Sequence, residues 1–259
     1  MRERAGARKG CIKAARTRLP QALTFGVGAI AAPLIFVAIG SHPGWSFGLT
    51  AALAVAIWAG AGAAGRSAPV AAGAVQAFRP HWLIMGFGAV AIGVEASLVG
   101  LGPVGLIRAG VTEAAAAQLL SGFFVVFLLA RLALVFVAHR IASFQLFTLA
   151  VTLAAVLALG AALWSPAVFF VAMGAPAGLL FPGFYVTASR LMGEDLRVPP
   201  TIVASGLVGG IGAPLVIAPL VTTLGERGFF WLMAGVLVTL AVAALLSARH
   251  MQTREDQDE

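Results

Sequence analysis

The sequence is dominated by eight long apolar stretches separated by short polar or glycine-rich connectors. About 20 apolar residues, rising 1.5 Å each in a helix, are enough to cross the hydrocarbon core of a bilayer. The stretches are continuously apolar rather than alternating, so they predict helices and not barrel strands. We expect spans at residues 21–40, 45–64, 81–106, 112–138, 142–164, 167–191, 201–224 and 229–247.

The composition leads to the same class. Apolar residues make up 60% of the chain and charged residues 10%, whereas a soluble domain carries roughly 25% charged residues. We therefore predict an all-α membrane protein with about eight transmembrane helices and the lipid bilayer as a partner. The single cysteine, Cys11, leaves no intramolecular disulfide, and the histidines are scattered near separate span ends. No metal site or other cofactor is predicted.

Charge predicts the orientation. Seven of the 17 basic residues lie in the first 18 positions, and a basic flank beside a span is typical of a cytoplasmic anchor on anionic lipid. No aromatic residue is interleaved with these bases, so no nucleic-acid partner is expected. With this end inside, most loop arginines also fall inside, and only Arg108 and Arg227 fall outside. The positive-inside rule then predicts a multi-pass protein of the cell membrane, inner or plasma, with both termini cytoplasmic.

The same charges and spans divide the chain into segments. We expect a basic cytoplasmic segment at 1–20, two helices within 21–64, a cytoplasmic connector at 65–80, six helices within 81–247 and a cytoplasmic tail at 248–259. Tryptophan occurs near four span ends, where its amphipathic ring favours the membrane interface. These residues are Trp45, Trp82, Trp164 and Trp231.

Glu95 is the most informative polar residue, because it lies near the middle of the third span. A charge at the bilayer centre costs about 2.5–3.5 kcal/mol on insertion scales. The helical neighbours of Glu95 are mostly small and include Gly88, Ala91, Val99 and Gly102. Glu95 is therefore expected to face other helices or a cavity rather than lipid. Three roles stay open: carrying a proton, contacting a polar substrate, or pairing with a basic residue.

Arg131, about two-thirds along the fourth span, is the second intramembrane charge. Pairing with Glu95 or snorkelling to the interface is favoured over contact with substrate. Gln118, Tyr185 and Ser205 are weaker candidates for lining a cavity, and each is also able to bond a neighbouring carbonyl. No nucleophile elbow, phosphate loop, zinc signature or dinucleotide fingerprint is present, so an enzyme is not predicted.

Glycine and proline are frequent within the sixth and seventh spans. Small residues let helix backbones approach closely, and prolines permit bends. Packing alone accounts for this composition, and so do flexible helices that rock during a transport cycle.

Five short motifs resemble, in order along the chain, the major facilitator superfamily and its fucose-permease-like branch. The first holds Gly28 and Pro33 and is similar to the glycine-proline motif of the fifth helix of the family, with Ala32 in place of the usual glycine. The segment around Glu95 is similar to the seventh helix, and that around Arg131 to the eighth. The last two motifs, similar to the tenth and eleventh helices, are 178–182 and 204–214, the latter including Gly209, Gly210 and Pro214.

The resemblance implies that the chain corresponds to helices five to twelve of a twelve-helix transporter, without the first four. An incomplete gene model, a truncated gene or a second chain that supplies the missing helices would explain this. The function implied is secondary active transport of a small solute, by this chain or by the protein of which it is a truncated part, with proton coupling through Glu95. The branch suggests a sugar, and drug efflux fits the same pattern. The alternative is a scaffold without transport or a decayed transporter remnant.

Overall fold

The computed structural model describes residues 43–61, 78–137, 140–193 and 195–255. Within these ranges the chain is all-helical, with seven helices and no strand. They are α1 (Pro43–Ala61), α2 (Trp82–Arg108), α3 (Glu113–Val137), α4 (Ser143–Leu163), α5 (Pro166–Met192), α6 (Val198–Thr223) and α7 (Gly228–Glu255).

Helices α2 to α7 are each long and apolar enough to cross a membrane. Their apolar parts follow the predicted third to eighth spans closely, so the prediction of these six helices is confirmed. Helix α1 covers most of the predicted second span, and its described apolar part, Gly48–Gly60, is shorter. The predicted first span, and with it Gly28 and Pro33, lies outside the described residues.

Local signals explain where several helices begin. The backbone N–H of Ala115 donates to Thr112 Oγ1 at 3.3 Å, so Thr112 caps the N-terminus of α3. Helix α6 begins at Val198, before the predicted residue 201, and has proline in its first turn. Proline lacks a backbone N–H, and the loss costs little in the first turn because an N–H there has no intrahelical partner.

Helix α7 continues to Glu255, beyond the predicted span end at residue 247. Its apolar part, Gly228–Ala248, still matches the prediction. The following residues include no glycine or proline that would stop the helix. The predicted polar tail is therefore helical as far as Glu255.

Helix α5 lies at the centre of the bundle and contacts α2, α3 and α4, while α2 also packs on α6 and α4 also packs on α7. Phenylalanine rings from α5 fill the places where α2 has glycine. The ring of Phe184 lies over Gly88, and the ring of Phe170 lies over Gly102. Lipid tails are as apolar as these side chains, so close packing rather than exclusion of water holds such helices together.

Two helix pairs approach through their backbones. Gly209 of α6 lies against the carbonyl of Ala89 on α2, and a Cβ on Gly93 would lie 2.9 Å from the carbonyl oxygen of Gly209. Helix α5 meets α3 in the same way. A Cβ on Gly178 would lie 2.7 Å from the carbonyl oxygen of Phe127. These crossings tolerate no side chain larger than hydrogen.

Arginines bind helix C-termini at one end of the bundle. Arg108 Nη2 donates to the carbonyl of Thr222 in the last turn of α6 at 3.1 Å. Arg227 Nη1 donates to the carbonyls of Ala162 and Leu163, at the end of α4, at 3.1 and 3.2 Å. A cation is favourable at a helix C-terminus, where the last carbonyls lack intrahelical partners. Both arginines therefore have a structural role in this bundle, whichever side of the membrane they face.

The opposite end of the bundle carries an ion pair in the α5–α6 loop. Arg197 Nη2 lies 2.9 Å from Asp195 Oδ2, and the guanidinium lies over the ring of Phe78. The hydrogen bonds from Arg197 lower the pKa of the Asp195 carboxyl to about 2. Asp195 is therefore ionised at neutral pH.

Three of the four predicted interfacial tryptophans have described side chains. Trp82, Trp164 and Trp231 are 75%, 70% and 50% exposed and lie at or near helix ends. Exposure at helix ends is what a membrane-interface position requires.

Candidate functional site between α2, α3 and α5

Glu95 faces the central helix of the bundle. It lies seven residues, or about two helical turns, from both Gly88 and Gly102, so the three positions share one face of α2. Phe184 and Phe170 of α5 fill the space at the two glycines. Ala177 is midway between these rings along α5. At the level of Glu95, α5 therefore presents the methyl group of Ala177. About two turns away in each direction along α5, it presents a phenyl ring instead.

One oxygen of the Glu95 carboxylate is left without a hydrogen bond. Its Oε2 atom is buried and has no partner in the described part of the chain. The nearby hydroxyl of Ser97 donates to the carbonyl of Gly93 at 2.7 Å instead. An unsatisfied buried polar group ordinarily costs about 1–3 kcal/mol, and more if charged. Such a group inside a spanning helix calls for a functional explanation.

Arg131 reaches the same level of α5 from α3. Its Nε donates to the carbonyl oxygen of Gly178, the residue after Ala177, at 3.0 Å. Its guanidinium carbon lies 4.4 Å from the centre of the Phe127 ring, which is a cation–π geometry. The structure therefore places the two predicted intramembrane charges around one point of α5.

Glu95 and Arg131 interact through space rather than by direct contact. Each charge acts electrostatically on the other. No nitrogen–oxygen contact between these two described residues is short enough for an ion pair. Arg131 instead makes its hydrogen bond to the α5 backbone, which leaves the Glu95 oxygen open to a proton or to a donor group of a ligand.

The weaker candidates do not join this site. Gln118 is exposed on α3 and lies thirteen residues, about 20 Å along the axis, from Arg131. The Ser205 hydroxyl donates to the carbonyl of Ile202 in its own helix at 3.0 Å. Tyr185 is half-buried, and its ring lies 5.6 Å from that of Phe181.

The predicted structural residues of α6 differ in their surroundings. Gly209 makes the close backbone contact with α2, and Gly210 has an ordinary van der Waals distance to Ile92. Pro214 lies inside the helix.

Sequence reasoning missed the groups that hold Arg131, which are the Gly178 carbonyl and the Phe127 ring. One signal was available. Gly174 and Gly178 are four residues apart, a spacing typical of close helix–helix contact in membranes. Gly174 packs against the carbonyl of Phe123, and Gly178 against that of Phe127. This crossing brings α3, and with it Arg131, onto the backbone of α5.

Comparisons with protein-family models, with curated proteins and with solved structures each found no match to the chain. In the described ranges, no three histidine, cysteine, aspartate or glutamate residues lie together as a metal site would need. The fold and composition define the class: a multi-pass α-helical membrane protein with two charged side chains between its central helices.

Proposed function

We propose that the chain is a secondary active transporter, or part of one, that moves a small solute across the membrane and couples this movement to protons through Glu95. The observation that carries the proposal is the buried Oε2 atom of Glu95, which has no hydrogen-bond partner among the described residues. A carboxylate kept for structure alone would gain stability from a partner at this depth. A carboxylate that must take up and release a proton or a ligand has to remain open.

The position of the pair also favours transport over a scaffold. Glu95 and Arg131 flank the backbone of α5 at Ala177 and Gly178, and both charges lie within helices long enough to span a membrane. Arg131 joins α3 to α5 and would serve a scaffold equally well, but the Oε2 atom of Glu95, which has no partner among the described residues, adds no stability to one. A site near the middle of the bundle suits alternating access, in which helices rock around a fixed binding point. The ordered motifs similar to the major facilitator superfamily support the same function.

In the proposed cycle Glu95 alternates between a protonated and an ionised form. The ionised form is balanced by the charge of Arg131, and the protonated form is able to donate a hydrogen bond to solute. The hydrogen bond from Arg131 to Gly178 keeps the guanidinium beside the site in both forms. We place the protein in the cell membrane with both termini cytoplasmic, as the basic residues predict, and a second chain contributing further helices is compatible with this role.

The test is solute flux in proteoliposomes that contain the full chain. A pH gradient is imposed, and the probes are radiolabelled monosaccharides and a labelled lipophilic cation. We expect gradient-driven flux of one probe class. In Glu95→Gln the gradient should no longer drive flux, while exchange of solute without a gradient persists. The matched control is Glu226→Gln, at an exposed carboxylate in the α6–α7 turn, which should behave as wild type.

Two results would contradict the proposal. Unchanged coupling in Glu95→Gln would remove the proton role. Absence of gradient-dependent flux for every probe in the wild-type protein would favour the scaffold or remnant instead.

A further inference from the structure

A second feature lies on the outside of the bundle, away from Glu95. An open groove of about 610 Å³ runs between α2 and α7. We refer to it as the α2–α7 groove. Its lining includes Trp82, Gly86 and Val90 on α2, and Gly235, Thr239 and Ala243 on α7.

Glycines shape the groove. A Cβ added to Gly86 or to Gly235 would meet nothing within 4 Å. Each helix therefore has a glycine, without a side chain, facing the open space between α2 and α7. From Trp82 to Val90 the groove runs about 12 Å along α2, at 1.5 Å per residue. One leaflet of the hydrocarbon core is about 15 Å thick, half of the whole. The groove thus extends from one end of the bundle through most of one leaflet.

The walls suit hydrocarbon. The one hydroxyl in the lining, that of Thr239, donates to the carbonyl of Gly235 at 2.8 Å within its own helix. The Trp82 indole stands at the mouth and is 75% exposed. Apart from the indole N–H at the mouth, the side chains that line the groove offer a polar solute no unused hydrogen-bond partner. A spanning helix from another chain would be about 30 Å long, more than twice the length of the groove, whereas an acyl chain of one leaflet matches it.

The mouth of the groove carries positive charge. Arg79 is exposed and lies three residues before Trp82. The N-terminus of α2, where the helix dipole is positive, begins at Trp82. Arg197 lies over Phe78 beside Arg79, but its ion pair with Asp195 leaves this pair without net charge, so Arg79 and the helix N-terminus supply the positive charge. A headgroup with a net negative charge is therefore the chemical complement of this mouth.

We propose that the α2–α7 groove binds an anionic phospholipid, with one acyl chain between Gly86 and Gly235 and the headgroup phosphate on Arg79 and the N-terminus of α2. The proposal is independent of transport, because none of its residues belongs to the Glu95 site. A basic residue near a membrane surface contributes about 1 kcal/mol to binding of anionic lipid, which corresponds to about fivefold in affinity.

The test is native mass spectrometry of the purified full chain in detergent. Phosphatidylglycerol and phosphatidylcholine with identical acyl chains are added as competing probes. Wild type should retain one phosphatidylglycerol per chain with a preference of about fivefold over phosphatidylcholine. Gly86→Leu combined with Gly235→Leu places two side chains in the groove, at positions where an added Cβ would meet nothing within 4 Å, and should abolish retention. Arg79→Gln should keep lipid binding and lose the preference between headgroups.

The matched control is Gly100→Leu, at another glycine of α2 whose Cβ would meet nothing within 4 Å and which lies outside the groove. It should retain lipid as wild type does. Unchanged retention in the double leucine variant would overturn the proposal, as would equal retention of both lipids by wild type. If wild type is a dimer and the double leucine variant is a monomer, a second copy of the chain occupies the groove. That result would also overturn the proposal.

Discussion

Replacing Gly209 with leucine should destabilise the protein far more than the same replacement at Gly212, three residues away on α6. The place that a Cβ would take at Gly209 is filled by the carbonyl group of Ala89, whereas at Gly212 nothing lies within 4 Å. The obstacle is backbone, which has no alternative rotamer, so α2 and α6 must separate. Overpacking of a tight contact costs about 1–3 kcal/mol, and separation also loses the dispersion contacts that hold membrane helices together.

Thermal unfolding of the two variants in detergent, followed by the loss of monodisperse protein, measures the difference. We expect a lower melting temperature for Gly209→Leu and a wild-type value for Gly212→Leu. Because the two sites share a helix and a replacement residue, differences in helix propensity and hydrophobicity cancel. Equal melting temperatures would show that α2 and α6 do not pack as described.

The second large effect is expected at Arg131. Replacement by methionine removes the hydrogen bond to Gly178, the contact with the Phe127 ring and the positive charge that acts on Glu95. Glu95 is then a buried carboxylate with no balancing charge. Removing one partner of a fully buried pair costs about 3–5 kcal/mol, and because this pair is not in direct contact we expect about 2 kcal/mol.

A double-mutant cycle isolates the part that comes from charge. Glu95→Gln in the Arg131→Met background should restore some of the lost stability, since it removes the unbalanced carboxylate. The control is Gln118→Met, an exposed position on the same helix, which should unfold as wild type does. If the effects of Glu95→Gln and Arg131→Met simply add, the two charges do not influence each other, and the site is not one unit.

Much of the helical architecture was readable from the sequence because each span is defined locally. Apolar length places a helix in the membrane, Thr112 caps α3, and Pro166 begins α5 after the break at Ser165. Helix ends outside the apolar stretches are less constrained, since hydropathy says nothing about a polar helix. The continuation of α7 to Glu255 was therefore not predicted.

The inward orientation of Glu95 was also predictable, because Gly88, Ala91 and Gly102 mark one face of α2 as a surface for close packing. The structure buries all three residues and the Oε2 atom of Glu95. Its role in transport stays a prediction. The contact between Arg131 and Gly178 was not predictable in detail, because it joins residues on two helices whose adjacency depends on the whole bundle.

The sequence does not show which glycines make close contacts between helices. The sequence alone does not distinguish Gly209 from Gly212, because both are glycines in the same apolar helix. One meets a backbone carbonyl of α2 and the other faces open space. Gly86 and Gly88 differ in the same way: the first opens the α2–α7 groove and the second holds the ring of Phe184. Which glycine serves which purpose depends on the partner helix, which sequence periodicity does not specify.

The central claim is that helices α2 to α7 cross a bilayer in alternating directions, with Glu95 and Arg131 inside it. Labelling of single cysteines with a membrane-impermeant maleimide in sealed vesicles tests this most directly, in a Cys11→Ser background. Glu113→Cys and Glu226→Cys, at the starts of α3 and α7, should react from one side of the membrane. Leu196→Cys, in the α5–α6 loop, should react only from the other side. Reaction of all three cysteines from the same side in sealed vesicles would contradict the account.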